Sequence, residues 1–132
     1  MKTFVDTSAL YALLDADDHN HDAAAAWFIE FAVAATDLVT HSYVLVESTA
    51  LVHHRLGAAG VRDLLDGLVP ALTIEYVDEM LHSRATAAYM AGLARKVSFV
   101  DRVSFQFIRD GAIDQAFAFD NDFGREGLVL VP

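Results

Sequence analysis

Short apolar runs alternate with longer stretches of helical periodicity along the whole chain. The predicted strands are the apolar runs at 2–6, 38–41, 72–77, 116–119 and 128–131. This alternation is typical of βαβ units, whose parallel strands are covered by helices on both faces. The sequence therefore predicts an α/β fold with a central, mostly parallel sheet.

The predicted helices are bounded by capping residues and by glycine or proline. They cover 8–14, 21–35, 42–56, 58–68, 78–95 and 99–110, and the stretch 78–95 is the longest. Ser8 and Ser42 are the expected N-caps of the first and third helices. Gly57, Pro70 and Gly111 are expected to end helices. These boundaries place several acidic residues at strand ends and at helix starts.

The composition fits one folded domain spanning 1–132. With 55% hydrophobic residues and a mean hydropathy of +0.33, the chain can fill a core of its own. It has no cysteine, which excludes disulfides and thiolate metal sites and suits a reducing compartment. No apolar stretch in the sequence is long enough to span a bilayer. We therefore expect a cytoplasmic protein with no membrane contact.

The net charge of −10 argues against a broad basic surface for nucleic acid. The basic residues are unevenly distributed, however, because six of the nine Lys and Arg residues lie from Arg84 onward. Several of them flank acidic residues in the second half of the chain. The candidates for steering a phosphate backbone are Arg95, Lys96, Arg102 and Arg125. The same acidity would also favour a basic partner protein.

Four acidic residues stand where a folded chain has little structural use for them. Asp6 and Asp120 each follow a predicted strand, and Glu47 and Asp101 lie on predicted helices. Ligands of open parallel sheets bind outside the carboxyl ends of the strands, so Asp6 and Asp120 are candidates for one crevice. Converging carboxylates repel one another. A hard cation such as Mg²⁺ or Mn²⁺ prefers oxygen ligands and would relieve that repulsion.

Each of these acids also has an ordinary structural explanation. Asp6 and Asp101 can be helix N-caps, and Asp120 and Asp122 can serve the turn after a strand. Glu47 shares a helix face with apolar neighbours, where an unpaired carboxylate is costly to bury, although it can also reach solvent from the helix edge. The expected catalytic and metal-binding residues are Asp6, Glu47, Asp101 and Asp120, with Asp122 as a further metal ligand.

Four segments of the chain, taken in order, resemble the acidic motifs of PIN domains. They are Phe4-Val5-Asp6-Thr7-Ser8-Ala9-Leu10, Val46-Glu47, Val100-Asp101-Arg102-Val103-Ser104-Phe105 and Phe119-Asp120-Asn121-Asp122-Phe123. The first segment and the chain length resemble in particular the VapC toxins of bacterial and archaeal toxin–antitoxin pairs. The resemblance covers essentially the whole chain.

This resemblance implies a three-layer α/β/α PIN-like fold and Mg²⁺- or Mn²⁺-dependent cleavage of RNA. By matching motif, the four acids would line the metal site. Thr7 or Ser8 would hydrogen-bond a metal-bound water or a carboxylate. The implied partners are an RNA substrate, a VapB-type antitoxin and a second copy of the chain in a homodimer.

The chain departs from the family pattern in two places. Ala118-Phe119 stands where many relatives have a Ser or Thr shortly before the fourth acid, which removes a polar support from the metal site. Asp122 stands where many relatives have a His or a basic residue. This second departure adds negative charge where the phosphate is expected to approach.

The sequence leaves two other functions open. One is a PIN-type nuclease that processes RNA outside toxin–antitoxin systems. The other is a non-catalytic interaction domain, in which the carboxylates would be caps and solvated edges. Leu10, Leu13, Leu14 and the helix around Trp27-Phe28 can line an antitoxin groove or belong to the ordinary core.

Overall fold

A parallel sheet forms the centre of the protein, whose computed structural model describes residues 1–31 and 37–132. Within these residues, five strands are present: β1 (Lys2–Val5), β2 (Asp37–His41), β3 (Thr73–Glu75), β4 (Gln115–Phe117) and β5 (Leu130–Val131). Their order is β3-β2-β1-β4-β5, and each pairing is parallel. All carboxyl ends therefore meet at one edge of the sheet, as the alternation of elements predicts.

Helices flank this sheet and complete the predicted three-layer α/β/α arrangement. The described helices are α1 (Thr7–Leu14), α2 (His21–Phe31), α3 (Ser42–Arg62), α4 (Glu79–Ala91), α5 (Phe99–Asp110) and α6 (Asp122–Arg125). Between α3 and β3 the chain forms a π-helical segment, Asp63–Leu68, and a 3-10 turn, Val69–Ala71. The predicted continuation of the second helix to residue 35 falls on 32–36, outside the described residues.

Two helices have N-caps other than the expected serines. Asp6 caps α1, because its Oδ2 accepts a hydrogen bond from the backbone N–H of Ser8 at 3.1 Å. His41 caps α3, because its Nδ1 accepts from the backbone N–H of the third helical residue at 3.3 Å. Each helix begins early enough for the preceding residue to take the cap position. Ser42 instead accepts a hydrogen bond from the backbone N–H of Val77 at 2.9 Å.

Two glycines lie where helical stretches end. Gly57 has φ 71° and ψ −164°, so it separates the helical stretch over 42–56 from the one over 58–62, at the position where the sequence predicts a break between two helices. Glycine is the residue that adopts this backbone conformation at little cost. α4 ends at Ala91, short of the predicted residue 95. A Cβ on the next residue, Gly92, would lie only 2.5 Å from a guanidinium nitrogen of Arg102. α4 has 13 residues and is shorter than the stretch over 42–56 of α3, so the prediction that 78–95 is the longest helix is wrong.

Three strands, β3, β4 and β5, are shorter than predicted. β3 covers Thr73–Glu75 and β5 covers Leu130–Val131. β4 ends at Phe117 rather than at residue 119, so Asp120 does not follow the strand directly. Two further residues carry the chain from the sheet to Asp120.

A cluster of aromatic rings fills the core beneath the carboxyl edge. Phe4 of β1 is fully buried, and its ring centroid lies 5.7 Å from that of His41, 5.9 Å from Phe107 and 6.0 Å from Phe123. Burial of such a side chain stabilises the fold by about 2–3 kcal/mol. These contacts join β1 to β2, α5 and α6, which are the elements next to the predicted acids.

The residues considered for an antitoxin groove pack mainly inside the protein. Leu10 is 1% exposed and Trp27 is 6% exposed, so both belong to the core. Leu13, Leu14 and Phe28 are partly buried and pack against it. Core packing is thus the correct explanation for Leu10, whereas Trp27 also borders a surface groove. In the described part of the chain, no helix combines the length and apolar character needed to cross a membrane.

Candidate metal centre

A cleft of about 380 Å³ lies at the carboxyl edge of the sheet. The five acids expected from the sequence, Asp6, Glu47, Asp101, Asp120 and Asp122, all line it. They come from the end of β1, from α3, from α5 and from the segment after β4. The fold therefore brings together side chains that are far apart in sequence.

Asp6 is held at the end of β1 by hydrogen bonds to a single carboxylate oxygen. Its Oδ2 accepts from the backbone N–H of Ser8 at 3.1 Å and from the Ser8 hydroxyl at 2.6 Å. The same hydroxyl accepts from the backbone N–H of Phe119 at 3.0 Å. Asp6 is only 4% exposed, and both bonds leave its Oδ1 available to a ligand. Ser8 thus supports a carboxylate, as expected, and supplies polar contact near Ala118, where the chain lacks a Ser or Thr.

Glu47 faces the cleft from α3. Its neighbours Val44 and Ser48 are fully buried, and Leu51, one turn later, also lines the cleft. The Ser48 hydroxyl donates to Oγ1 of Thr7 at 3.2 Å, which joins α3 to the first residue of α1. Ser48 and Leu51 were not predicted. The available signal was their position on the same helix face as Glu47.

Asp101 lies in the first turn of α5 but does not cap it. Ser98 is the N-cap, because its hydroxyl oxygen accepts from the backbone N–H of Asp101 at 3.1 Å. The carboxylate of Asp101 is therefore directed to other contacts. Oxygens of Asp101, Asp120 and Asp122 lie within 4.8 Å of one another, which is close enough for one ion to contact all three. Asp6 and Glu47 line the same cleft outside this tight group.

Asp120 and Asp122 occupy the turn that leads into α6. Oδ1 of Asp120 accepts from the backbone N–H of Asp122 at 2.9 Å. Oδ1 of Asp122 accepts from Nη1 of Arg125 at 2.7 Å. This ion pair balances the negative charge that Asp122 adds to the site. The sequence did not predict α6, because a four-residue helix shows no periodic pattern.

Burial and mutual repulsion oppose ionisation of the carboxyl groups. Desolvation raises the pKa of Asp6 to about 6 against the hydrogen bonds from Ser8, and the charges of Glu47 and Asp120 act in the same direction as desolvation. Desolvation, together with the charges of Asp6, Asp120 and Glu47, also raises the pKa of Asp101. A divalent cation would compete with these protons and relieve the repulsion.

The donor groups fit a hard divalent cation. Among the described residues that line the cleft, the metal-ligating side chains are carboxylates, with neither imidazole nor thiolate. Oxygen-only donors are those that Mg²⁺ and Mn²⁺ prefer. Burial, and then the charges of neighbouring carboxylates, raise the pKa of Asp6 and Asp101, and a bound cation would offset both effects.

The basic residues near the cleft differ in whether their side chains can contact a ligand there. Lys96 lines the cleft itself. Arg102 is 9% exposed, and its Nη1 donates to Oε1 of Glu126 at 3.3 Å. Arg109 donates to Oε2 of the same carboxylate at 3.0 Å. The expectation that Arg102 steers RNA is therefore wrong, since its guanidinium is buried and paired. Lys96 is the basic side chain best placed to contact a phosphate.

Comparisons with known proteins agree with this geometry. The family model described as PIN domain matches residues 3–127. This chain belongs to the PIN-domain family. In this PIN domain, acids from separate segments of the chain line one cleft at the carboxyl edge of the parallel sheet.

One curated relative matches the PIN domain over nearly its full length. The chain is 34% identical over 129 residues to the 23S rRNA-specific endonuclease VapC20 of Mycobacterium tuberculosis, covering 97% of this chain and 96% of that protein. The crystal structure of M. tuberculosis VapC20, described as a sarcin-ricin loop cleaving toxin, is similar with a TM-score of 0.86 and 30% identity over 96% of both chains. The predicted relationship to VapC-type PIN endoribonucleases is confirmed.

More distant structures share the fold. VapBC2 from Rickettsia felis, bound to a DNA fragment from its promoter, has a TM-score of 0.72 at 14% identity and covers 98% of this chain and 97% of that one. FitAcB from Neisseria gonorrhoeae has a TM-score of 0.71 at 12% identity, covering 98% and 96%. These likenesses extend the structural match well beyond close sequence relatives.

Proposed function

We propose that this PIN domain is the toxin of a VapBC-type pair and hydrolyses RNA with the help of Mg²⁺ or Mn²⁺. Asp6, Glu47, Asp101 and Asp120 hold the cation, and Asp122 is an auxiliary ligand. The observation that carries the proposal is the convergence in one cleft of carboxylates from four separate stretches of chain. A purely structural explanation does not account for this convergence, because caps and solvated edges have no reason to meet.

The chain's own residues position the reaction. When bound, the cation would activate water and neutralise charge on the phosphate. Ser8 holds Asp6 in place through its hydroxyl. Lys96, at the wall of the cleft, contacts a non-bridging phosphate oxygen. Asp101, whose pKa is raised in the metal-free site, would release its proton when it binds the cation. Since the attacking group is water and not the ribose 2′-hydroxyl, the products carry a 5′-phosphate and a 3′-hydroxyl.

For the substrate we propose structured RNA, with the sarcin–ricin loop of 23S rRNA as the first candidate. Support comes from the full-length match to VapC20, which is named for that specificity. A net charge of −10 makes the contact with RNA depend on the cation and on a few basic side chains.

For partners we propose a VapB-type antitoxin and a second copy of the chain. An apolar groove of about 510 Å³ offers a surface on which an antitoxin segment can dock. It is lined by Ala23, Ala26, Trp27, Glu30, Phe31, Val131 and Pro132. The protein acts on cytoplasmic RNA as one domain spanning 1–132.

Replacement of one carboxylate tests the proposed activity. Asp101→Asn should lower the rate of cleavage of a sarcin–ricin stem-loop RNA by at least about 100-fold in Mg²⁺ or Mn²⁺, because it removes the charge of one metal ligand. Asp66→Asn is the matched control, since Asp66 is exposed and lies outside the cleft. EDTA should abolish wild-type activity.

Two results would count against the proposal. Full activity of the Asp101→Asn variant would remove the carboxylate cluster from catalysis. An inactive wild type, tested on this stem-loop and on total cellular RNA with mapping of new 5′ ends, would exclude the nuclease function. Cleavage of cellular RNA at other sites would instead redirect the choice of substrate.

A further inference from the structure

Beside the metal cleft lies a second, apolar pocket of about 320 Å³. Its lining consists of Tyr43, Val46, Glu47 and Val100. Glu47 lines both spaces, and Val100 directly precedes Asp101 on α5, so the pocket and the cleft adjoin. We propose that this pocket is a nucleobase subsite, which holds the base attached to the phosphate in the cleft. The proposal rests on the proposed function and names a binding site for its substrate.

Val46 gives the pocket an apolar wall that the core does not require. Its side chain is 68% exposed, although Val44 and Ser48 on the same helix are fully buried. A single exposed valine is ordinary on a protein surface. Here, however, it combines with Val100 and an aromatic ring to line a concave space next to charged groups. An apolar concave surface of this kind suits the flat face of a base.

Tyr43 supplies a ring that is already fixed in position. Its hydroxyl oxygen lies 2.6 Å from Nδ1 of His82. Its ring centroid lies 5.8 Å from that of His82 and 6.4 Å from that of Phe99. Because the hydroxyl is engaged and the ring is packed, Tyr43 offers a base its aromatic surface rather than a free hydrogen-bonding group. The subsite therefore binds by stacking and apolar contact, which tolerates different bases.

Charge favours a base over the RNA backbone as the occupant. Glu47 stands at the border between cleft and pocket. Its carboxylate would repel a second phosphate in the pocket, whereas a base is uncharged. A ribose links each base to its phosphate, so a phosphate held by the cation and Lys96 brings its own base to the adjoining space.

Comparing the affinities of two small ligands measures the contribution of the base separately from that of the phosphate. AMP and ribose 5-phosphate carry the same 5′-phosphate, and only AMP carries a base. In calorimetric titrations with Mg²⁺, wild-type protein should bind AMP about tenfold more tightly than ribose 5-phosphate. In the Val46→Asn variant the preference should fall to about twofold or less, because a polar amide replaces the apolar wall. Val46 is exposed, so the variant should fold normally.

Val129→Asn is the matched control. Val129 is a similarly exposed valine, at 59%, and it precedes β5 at the amino edge of the sheet, opposite the cleft. It should keep the wild-type preference for AMP. Steady-state cleavage of the stem-loop RNA should show the same pattern, with an increase in KM for Val46→Asn and no change for Val129→Asn.

The outcomes distinguish the subsite from the nuclease function. Equal affinities of the wild type for AMP and ribose 5-phosphate overturn the subsite, even if metal-dependent cleavage is intact. A base preference that disappears in Val46→Asn supports the subsite, and a failure of RNA cleavage then counts only against the proposed function. If Val46→Asn changes the mass measured by light scattering and leaves the AMP preference unchanged, the pocket is a contact between two copies of the chain, and the subsite is overturned.

Discussion

At the scale of single residues, Asp6 shows how one carboxyl group serves two purposes. The sequence presents helix capping and metal binding as alternatives for this residue. In the structure the capping bond and the bond from the Ser8 hydroxyl both use Oδ2. Oδ1 is left for an ion, and the side chain still lines the cleft. The two interpretations of Asp6 are therefore compatible.

The pKa of Asp6 predicts how the stability of the metal-free protein depends on pH. Its folded-state pKa of about 6 lies above the ordinary value of 3.8. Protonated Asp6 therefore contributes stability that is fully present below pH 3.8 and is lost as the pH rises through 6. Asp6→Asn mimics the protonated form, so by pH 7 it should be about 3 kcal/mol more stable than wild type, with almost no difference near pH 3.5.

Urea denaturation in EDTA between pH 3.5 and 7 measures this difference. Asn also caps helices well, so the substitution preserves the start of α1. A free-energy difference that is constant over this pH range would show that Asp6 is not the destabilising group. Added Mg²⁺ should stabilise the wild type and have little effect on the variant.

The acids were predictable because each stands out in its local sequence. Asp6 follows an apolar run, and Glu47 interrupts an apolar helix face. Their supporting contacts were not predictable. The Ser48–Thr7 hydrogen bond and the burial of Arg102 against Glu126 depend on how separate elements pack, which local patterns do not encode.

At the scale of secondary-structure elements, α3 is an interrupted helix. Gly57 was predicted as a helix end because glycine commonly terminates helices. Its φ of 71° does break the regular geometry, and a helical stretch follows over 58–62, where a second helix is predicted, with Gly60 buried beside Val52 and Leu56. The sequence therefore predicted both the break at Gly57 and a helix after it, and what it did not predict is the π-helical segment Asp63–Leu68 inside the predicted helix over 58–68.

The backbone conformation of Gly57 predicts that even a methyl side chain at this position will destabilise the protein. Gly57→Ala should lower the free energy of unfolding by about 1–3 kcal/mol, since L-residues are strained at this φ and ψ. The cause is conformational, because nothing lies within 4 Å of the added Cβ. Gly67→Ala is the matched control, which has equal space and no positive φ. Chemical denaturation should show no loss of stability for Gly67→Ala, and equal losses for both variants would refute a backbone origin.

At the scale of the whole molecule, the question is how a protein with a large negative charge can bind RNA, which is also negatively charged. The parallel pairing of the strands was predictable, because alternating strands and helices favour parallel sheets, whereas the strand order was not predicted. The distribution of charge in space was not. The chain has a net charge of −10, yet Arg102 and Arg125 are paired with acids, and Lys96 is left at the cleft.

Because Lys96 lines the cleft, we expect its removal to weaken RNA binding more than the loss of a positive charge elsewhere. Lys96→Ala should raise the KM for stem-loop RNA by about 3- to 10-fold in low salt, and the difference should shrink as salt is added. Lys2→Ala removes the same charge from the amino end of β1, opposite the cleft, and should leave KM unchanged. Equal increases in KM for both variants would mean that only net charge matters. When EDTA removes the metal, the wild-type protein should no longer bind the stem-loop RNA.

The ion pair between Asp122 and Arg125 limits which substitutions these two positions can accept during evolution. Both residues belong to the same short helix, and their opposite charges cancel within it. Losing the arginine alone would leave an unbalanced anion beside the incoming nucleic acid, whereas exchanging both for neutral residues would keep the local potential nearly constant. Across descendants of this protein, the two positions should consequently change together.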